Sequence, residues 1–267
     1  MFLNLVSIER IRLTRLPALW LSLMACTLYI GLSISNFYAS NSTELISGRL
    51  EFPGMAFDFA NALDQLKIAV PFLIILTGML MGGDYTQRTN QHWLMRASRP
   101  SSLLARFAVL AGVAVAVQVL ALLTGGATGL YYKTFVYRVP NLMNVDWPAV
   151  LAAPLYMALT SLPYIALTLV LAVALRSAFL SIVVGLGYTV IFEFILVGIF
   201  RGAGPTKWLL DNLFFSASFL LNSIGGRVVM VPDRLLDPSQ ALIVSAVYTL
   251  AFLALAIALY RRQDLGG

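Results

Sequence analysis

Apolar residues along this chain gather into runs close to the length that crosses a bilayer, about 20 residues. Six such runs are predicted as membrane spans, at residues 17–38, 66–83, 103–131, 148–175, 178–200 and 241–260. The third and fourth exceed the minimum, which predicts tilting or extension past the hydrocarbon. Pro71, Pro154 and Pro163 fall inside these runs and predict kinks. Such prolines are tolerated in membrane helices where neighbours or hydroxyls satisfy the freed carbonyls. The first run, Leu16 to Ile34, is longer than a signal-peptide core and no A-x-A-like site follows in "SNFYAS", so it reads as a retained span.

Composition agrees with the pattern. The chain is 60% hydrophobic and 11% charged, with a mean hydropathy of +0.85, whereas soluble domains carry about 25% charged residues. The expected fold is an all-α membrane protein of six spans, a single transmembrane domain over residues 1–267. Cys26, the one cysteine, lies inside the first run and reads as a small packing residue.

The net charge of +6 acquires meaning from its location. An even number of spans puts both termini on one side. That side carries Arg10, Arg12, Arg15, Arg88, Arg96, Arg99, Arg106, Arg176, Arg261 and Arg262 against Glu9, Asp84 and Asp264: ten bases and three acids, or +7. The opposite loops carry eight bases (among them Lys67, Lys133 and Arg138) and eight acids, and Glu193 inside span five supplies the remaining −1. The positive-inside rule makes the basic side cytoplasmic, facing the anionic lipid of a cell membrane. Membrane lipid accounts for the charge, and no nucleic acid is required. Trp20, Trp147 and Trp208 fall near the ends of apolar segments, as interfacial anchors do, whereas Trp93 lies within the loop after span two.

Catalytic chemistry is sparse. The sequence contains no G-x-x-x-x-G-K-[ST], H-E-x-x-H, G-x-S-x-G or C-x-x-C pattern, so no site for a metal, a cofactor or ATP is predicted in this chain. The only histidine, His92, stands eight residues from Asp84 and off its helical face, which favours a surface or docking role. Glu193, in "YTVIFEFILVGIF", is the one acid at membrane depth. Such a carboxyl must be protonated, paired or facing water, and both a translocation-path role and a structural hydrogen bond stay open for it.

The stretch "GGDYTQRTNQHWLMRASRP", Gly82 to Pro100, separates spans two and three. Residues 84–99 contain no Gly or Pro. Asp84 suits an N-cap and Pro100 a stop, so a short helix beneath the membrane is predicted. Tyr85, Thr89 and Trp93 share one face, with Arg88, Arg96 and Arg99 nearby. Aromatic and arginine side chains together are common anchors for a soluble partner. A helix lying in the head groups has the same composition.

Three segments resemble the permease of a type-2 ABC exporter, the ABC-2 family. "SIERIRLTRLPALW" is similar to the basic N-terminal helix that leads into span one of such permeases. "GDYTQRTNQHWLMRASRPSSLLARF" is similar to their loop after span two, with Asp84, Tyr85, Thr89, Arg99 and Arg106 in matching places. "LYRRQDL" is similar to their basic C-terminal end, at Arg261, Arg262 and Asp264. The family often has Gly where Arg88 stands, and a proline before rather than after the arginine at 99. The resemblance implies a cytoplasmic N-terminal helix (1–16), a coupling-helix loop (84–102) and a short re-entrant helical segment (201–240) before span six. It further implies a partner ATP-binding subunit that holds ATP and Mg, and a second permease in a homo- or heterodimer. Asp84, Tyr85, Arg88, Thr89, Trp93 and Arg96 would then be the coupling residues, and the substrate an apolar or amphipathic peptide, lipid or drug-like molecule.

Within 201–240, "WLLDNLFFSASFLLNSI" (208–224) is too short and too polar at its ends for a regular span, which favours a re-entrant or interfacial reading. Gly125 and Gly129 are spaced for close helix approach, either within the chain or at a dimer seam. The rival functional classes are a secondary carrier or channel acting alone, which would need more intramembrane charge than Glu193, and a membrane enzyme or scaffold.

Overall fold

The computed structural model describes residues 2–47, 58, 62, 69–86, 98–138, 147–192 and 238–263. Among these, every regular element is helical. They are α1 (Phe2–Thr14), α2 (Pro17–Ser40), α3 (Ser42–Ile46), α4 (Ala69–Thr86), α5 (Arg99–Tyr131), α6 (Trp147–Leu175), α7 (Ala178–Leu186) and α8 (Pro238–Arg262). Wider π-helical turns extend α5 over Tyr132–Val136 and α7 over Gly187–Phe192.

Four helices are long and apolar enough to cross a membrane: Pro17–Ser40, Pro100–Val136, Met157–Leu175 and Leu242–Arg262. Val70–Tyr85 and Ala178–Thr189 are apolar but shorter. All six predicted runs are therefore helical where they are described, with four of spanning length. The 37-residue stretch Pro100–Val136 would extend roughly 55 Å at 1.5 Å per residue, beyond the hydrocarbon alone, as its sequence length predicts. Residues 193–237, which include Glu193 and nearly all of the expected re-entrant segment, lie outside the described residues.

Helix α6 is the centre of the bundle. Two thirds of its apolar window (67%) is buried, against 28% for α2 and 22% for α8, and it packs on α4, α5, α7 and α8. Leu73, Leu80, Leu110, Ile165, Leu169 and Val173 form the main core, to which α1 adds Leu13 and α8 adds Ala256 and Tyr260. On the periphery, α2 exposes Trp20, Met24, Leu28 and Leu32, and α8 exposes Ile243, Val247 and Leu250. Spacing of three or four residues gives each helix one continuous apolar outer stripe.

An apolar surrounding leaves no water to satisfy polar groups, and α6 bonds its buried hydroxyls to its own carbonyls. The helix continues through Pro154 and Pro163. Just before Pro163, the Thr160 hydroxyl donates to the Met157 carbonyl at 2.8 Å, and Ser161 to the Ala158 carbonyl at 2.6 Å. A two-residue turn then joins α6 to α7. Arg176 adopts a left-handed φ of 51° there, and the Ser177 hydroxyl caps α7 by accepting from the Leu180 amide at 3.3 Å.

That turn sets α7 against α4 at backbone distance. A Cβ on Gly82 would overlap the Ala178 backbone, and one on Gly78 would overlap the Ile182 side chain. These glycines, four residues apart, form the small-residue contact that drives helix association in lipid. Gly83 faces open space. The apolar run predicts that span two ends at residue 83, with the Gly82-Gly83 pair. The helix instead runs on to Thr86, because packing on α7 requires a glycine at 82 within a helix and nothing about 83 breaks it. Gly82→Ala should therefore lower the thermal unfolding midpoint of the lipid- or detergent-solubilised chain by several degrees. Gly83→Ala should leave it unchanged or raise it slightly, since Ala exceeds Gly in helix propensity by about 1 kcal/mol.

Candidate functional site: a buried charge ring where α1, α4 and α5 meet

The end of α4, the start of α5, the turn between α6 and α7, the end of α8 and all of α1 meet at one end of the bundle. Charged side chains fasten them. Arg106, on α5, is 1% exposed, and its Nε lies 2.9 Å from Glu9 Oε1 on α1. Its Nη2 pairs with Asp84 Oδ2 on α4, and its Nη1 approaches Met81 Sδ at 2.8 Å. Arg12, one helical turn beyond Glu9, pairs with Asp84 Oδ1 through Nη2, and its Nη1 lies 3.8 Å from Glu9 Oε2. The four residues thus close a ring of alternating sign, Glu9–Arg106–Asp84–Arg12, with no net charge.

Burial sets the strength of this arrangement. Asp84 and Arg106 are 0% and 1% exposed, whereas Arg12 is the open corner at 27%. Charges removed from water are tolerated only when paired and well hydrogen-bonded, and deleting one member of a buried pair costs about 3–5 kcal/mol. Each carboxylate here faces two guanidiniums, and arginine's planar fork suits that geometry.

A neutral relay extends the ring. Tyr85, next to Asp84, donates its hydroxyl to Gln263 Oε1 at 2.8 Å. Gln263 Nε2 donates to the Val173 carbonyl at 2.5 Å, at the C-terminal end of α6. So α8 is tied to α4 and α6 immediately beyond Arg262.

Two sequence expectations change. Asp84 does not cap a loop helix: it sits in the last turn of α4, fully buried, where two guanidiniums outcompete the amide donors of a helix start. Pro100 lies in the first turn of α5, with Ser98 in extended conformation before it. A proline that stops one helix is equally suited to begin the next, where its missing N–H is no loss. Of the predicted coupling residues, Asp84 and Tyr85 are thus brought together with Arg106 as internal braces. Arg88, Thr89, Trp93 and Arg96 lie outside the described residues, as does His92.

Glu9 and Arg12 were legible only as surface charges of a basic helix. The available signal was their spacing of three, which puts both on one face with Val6 and Leu13; their partner Arg106 is 97 residues away from Glu9. Similarly, Lys133, named above among the loop charges, forms a buried pair with Asp58 at the opposite end of the bundle. Cys26 is buried and unbonded to another cysteine, as a packing residue should be. Among the described residues no group of three His, Cys, Asp or Glu is placed to hold a metal. Both carboxylates of the ring are engaged by guanidiniums, and the arrangement holds α1, α4 and α5 to one another.

Compared with known proteins, residues 20–266 match the family described as Protein of unknown function (DUF2705). The chain belongs to that family. The match begins at Trp20 and takes in α3 to α8 and nearly all of α2, together with Asp84, Tyr85 and Arg106; α1, with Glu9 and Arg12, lies before it. No curated protein matches the chain.

The ring supports a direct energetic test. Arg106→Met should destabilise the chain by about 3–5 kcal/mol, because Glu9 and Asp84 keep their buried charges. Adding Asp84→Asn to Arg106→Met should recover part of that loss. A double-mutant cycle of unfolding free energies in lipid or detergent measures the coupling, and independent, additive effects would contradict the ring.

Proposed function

We propose that the chain is the permease subunit of an ATP-driven type-2 ABC exporter. In this reading α2, α4, α5, α6, α7 and α8 are six spans, with both termini cytoplasmic in a cell membrane. A second permease, identical or different, completes the path. A separate subunit binds ATP and Mg and hydrolyses the nucleotide, and the substrate is an apolar or amphipathic peptide, lipid or drug-like molecule. Glu193 is a residue of the path or a structural bond within span five.

One observation carries the reading. The two flanks of segment 87–97, Asp84 on α4 and Arg106 on α5, are bound to each other and to Glu9 and Arg12 of the N-terminal helix. A loop that receives force from a soluble partner needs rigid roots, or its displacement is absorbed locally. Buried ion pairs supply that rigidity, because their two arrangements, made or broken, differ by several kcal/mol. The loop supplies the contact surface through Arg88, Thr89, Trp93 and Arg96, with aromatic and arginine anchors of the kind that dominate interfaces. Asp84 and Tyr85 brace it from within.

The experiment is co-purification with a soluble P-loop ATPase encoded beside this chain, followed by ATPase measurement in lipid. Trp93→Ala should leave membrane insertion intact and weaken subunit binding by about tenfold or more, as loss of an interface anchor does. Asp84→Asn should retain the partner while lowering stimulated ATPase activity. Full retention and full stimulation in Trp93→Ala would sink the assignment.

A further inference from the structure

Helix α1 presents two opposed faces. Glu9 and Leu13 lie buried on one, in the charge ring and in the main core. Ile8, Ile11 and Arg15, spaced by three and four on the other, are exposed, with Leu3 and Arg10 along the flank. Leu3 is 79% exposed and Ile11 48%. Isoleucine interleaved with arginine, on a helix whose inner side is fixed to an apolar bundle, suits neither bulk water nor hydrocarbon. It suits the boundary between them. There an isoleucine reaches the acyl chains, and an arginine lays its stem along them with its guanidinium among the phosphates.

The depth of α1 follows from the helix after it. Arg15 and Leu16 alone separate α1 from α2, which is long and apolar enough to cross a membrane. The Trp20 indole, exposed in the first turn of α2, donates through Nε1 to the Thr14 carbonyl at 2.9 Å and ties the elbow together. An exposed indole at the start of a span sits at head-group level, and this one carries the end of α1 with it.

Charge selects among the head groups. Glu9 and Asp84, the two acids at this end among the described residues, are buried in the ring and withdrawn from the surface. Arg10 and Arg15 on α1, Arg176 in the turn between α6 and α7, and Arg262 at the end of α8 are exposed there. A ring of no net charge beneath exposed guanidiniums leaves an outer surface of one sign. Guanidinium matches phosphate oxygens in a planar fork, and an anionic lipid carries a phosphate that no ammonium on the same head group cancels.

We propose that the outer face of α1, together with Arg176 and Arg262, is a docking surface for anionic phospholipid head groups, gripped by Arg10 and Arg15 and seated by Ile8 and Ile11. The ring holds the helix from its inner side, so the surface is formed before lipid arrives. Docking of lipid here does not rest on an ATPase partner.

The test reads which lipid lies against α1. Ile11→Cys in a Cys26→Ser background carries a bimane fluorophore, and the full chain is placed in phosphatidylcholine nanodiscs. A small share of the lipid is then exchanged for phosphatidylglycerol or phosphatidylcholine with brominated acyl chains. At equal share the brominated phosphatidylglycerol should quench about twofold more strongly, since basic side chains concentrate anionic lipid around them. Arg10→Gln/Arg15→Gln should bring the two lipids to parity. So should about 1 M salt, which shortens the screening length to roughly 3 Å. A label at Ile46→Cys, exposed at the opposite end of the bundle, should show no preference. Equal quenching by the two lipids at Ile11→Cys would overturn the proposal, as would the same preference at Ile46→Cys. Protection from both lipids with ready quenching by aqueous iodide would place the face in water and overturn it as well. Should the paired arginine variant fail to fold, the salt series decides, because a preference that survives high salt is not one for charge.

Discussion

Burying ionised side chains is the constraint around which this bundle is organised. An arginine and an aspartate with almost no exposure, Arg106 and Asp84, can exist in an apolar helix bundle only if each is neutralised at close range. Asp84 is neutralised by two guanidiniums, Arg106 by two carboxylates, and the second member of each set comes from the N-terminal helix. That requirement fixes where α1 lies. It must place Glu9 and Arg12 over the junction of α4 and α5, and Leu13 follows them into the main core.

The same constraint recurs at the other end of α5. Arg106 and Lys133 stand 27 residues apart, roughly 40 Å along a helix axis, close to the thickness of a bilayer with its head-group layers. Each is clamped by a carboxylate from another element: Glu9 and Asp84 at one end, Asp58 at the other. The apolar stretch between them has no charged residue, so α5 is a rod whose two ends are fastened and whose middle is held by packing alone.

Glycine placement completes the picture. Gly78 and Gly82 bring α4 onto α7 at the end where the ring lies, while Gly125 and Gly129 admit Asp58 and Ala62 at the far end. Lipid supplies little hydrophobic drive between helices, so close backbone approach and buried polar bonds do the work that apolar burial does in water. In this chain the two devices sit side by side at each end, since a charge pair is worth most where packing excludes water around it.

The sequence by itself determined the membrane class, the positions of six apolar helical runs, and the crowding of arginine towards one set of loops. These follow from local quantities, chiefly the length and hydrophobicity of each run, that do not depend on what a segment packs against. It also marked Asp84, Tyr85 and Arg106 as a pattern, through resemblance. Only the tertiary structure decided which charges meet. Glu9 and Arg106 are 97 positions apart and Lys133 and Asp58 are 75 apart, and no periodicity links them. The structure likewise turned Asp84 from a helix cap into a buried brace and carried α4 through Gly82-Gly83. The physical reason is common to all of these: the energy of a charge or a missing Cβ in a membrane bundle is set by the neighbour it meets, and that neighbour is chosen by the fold rather than by the adjacent residues.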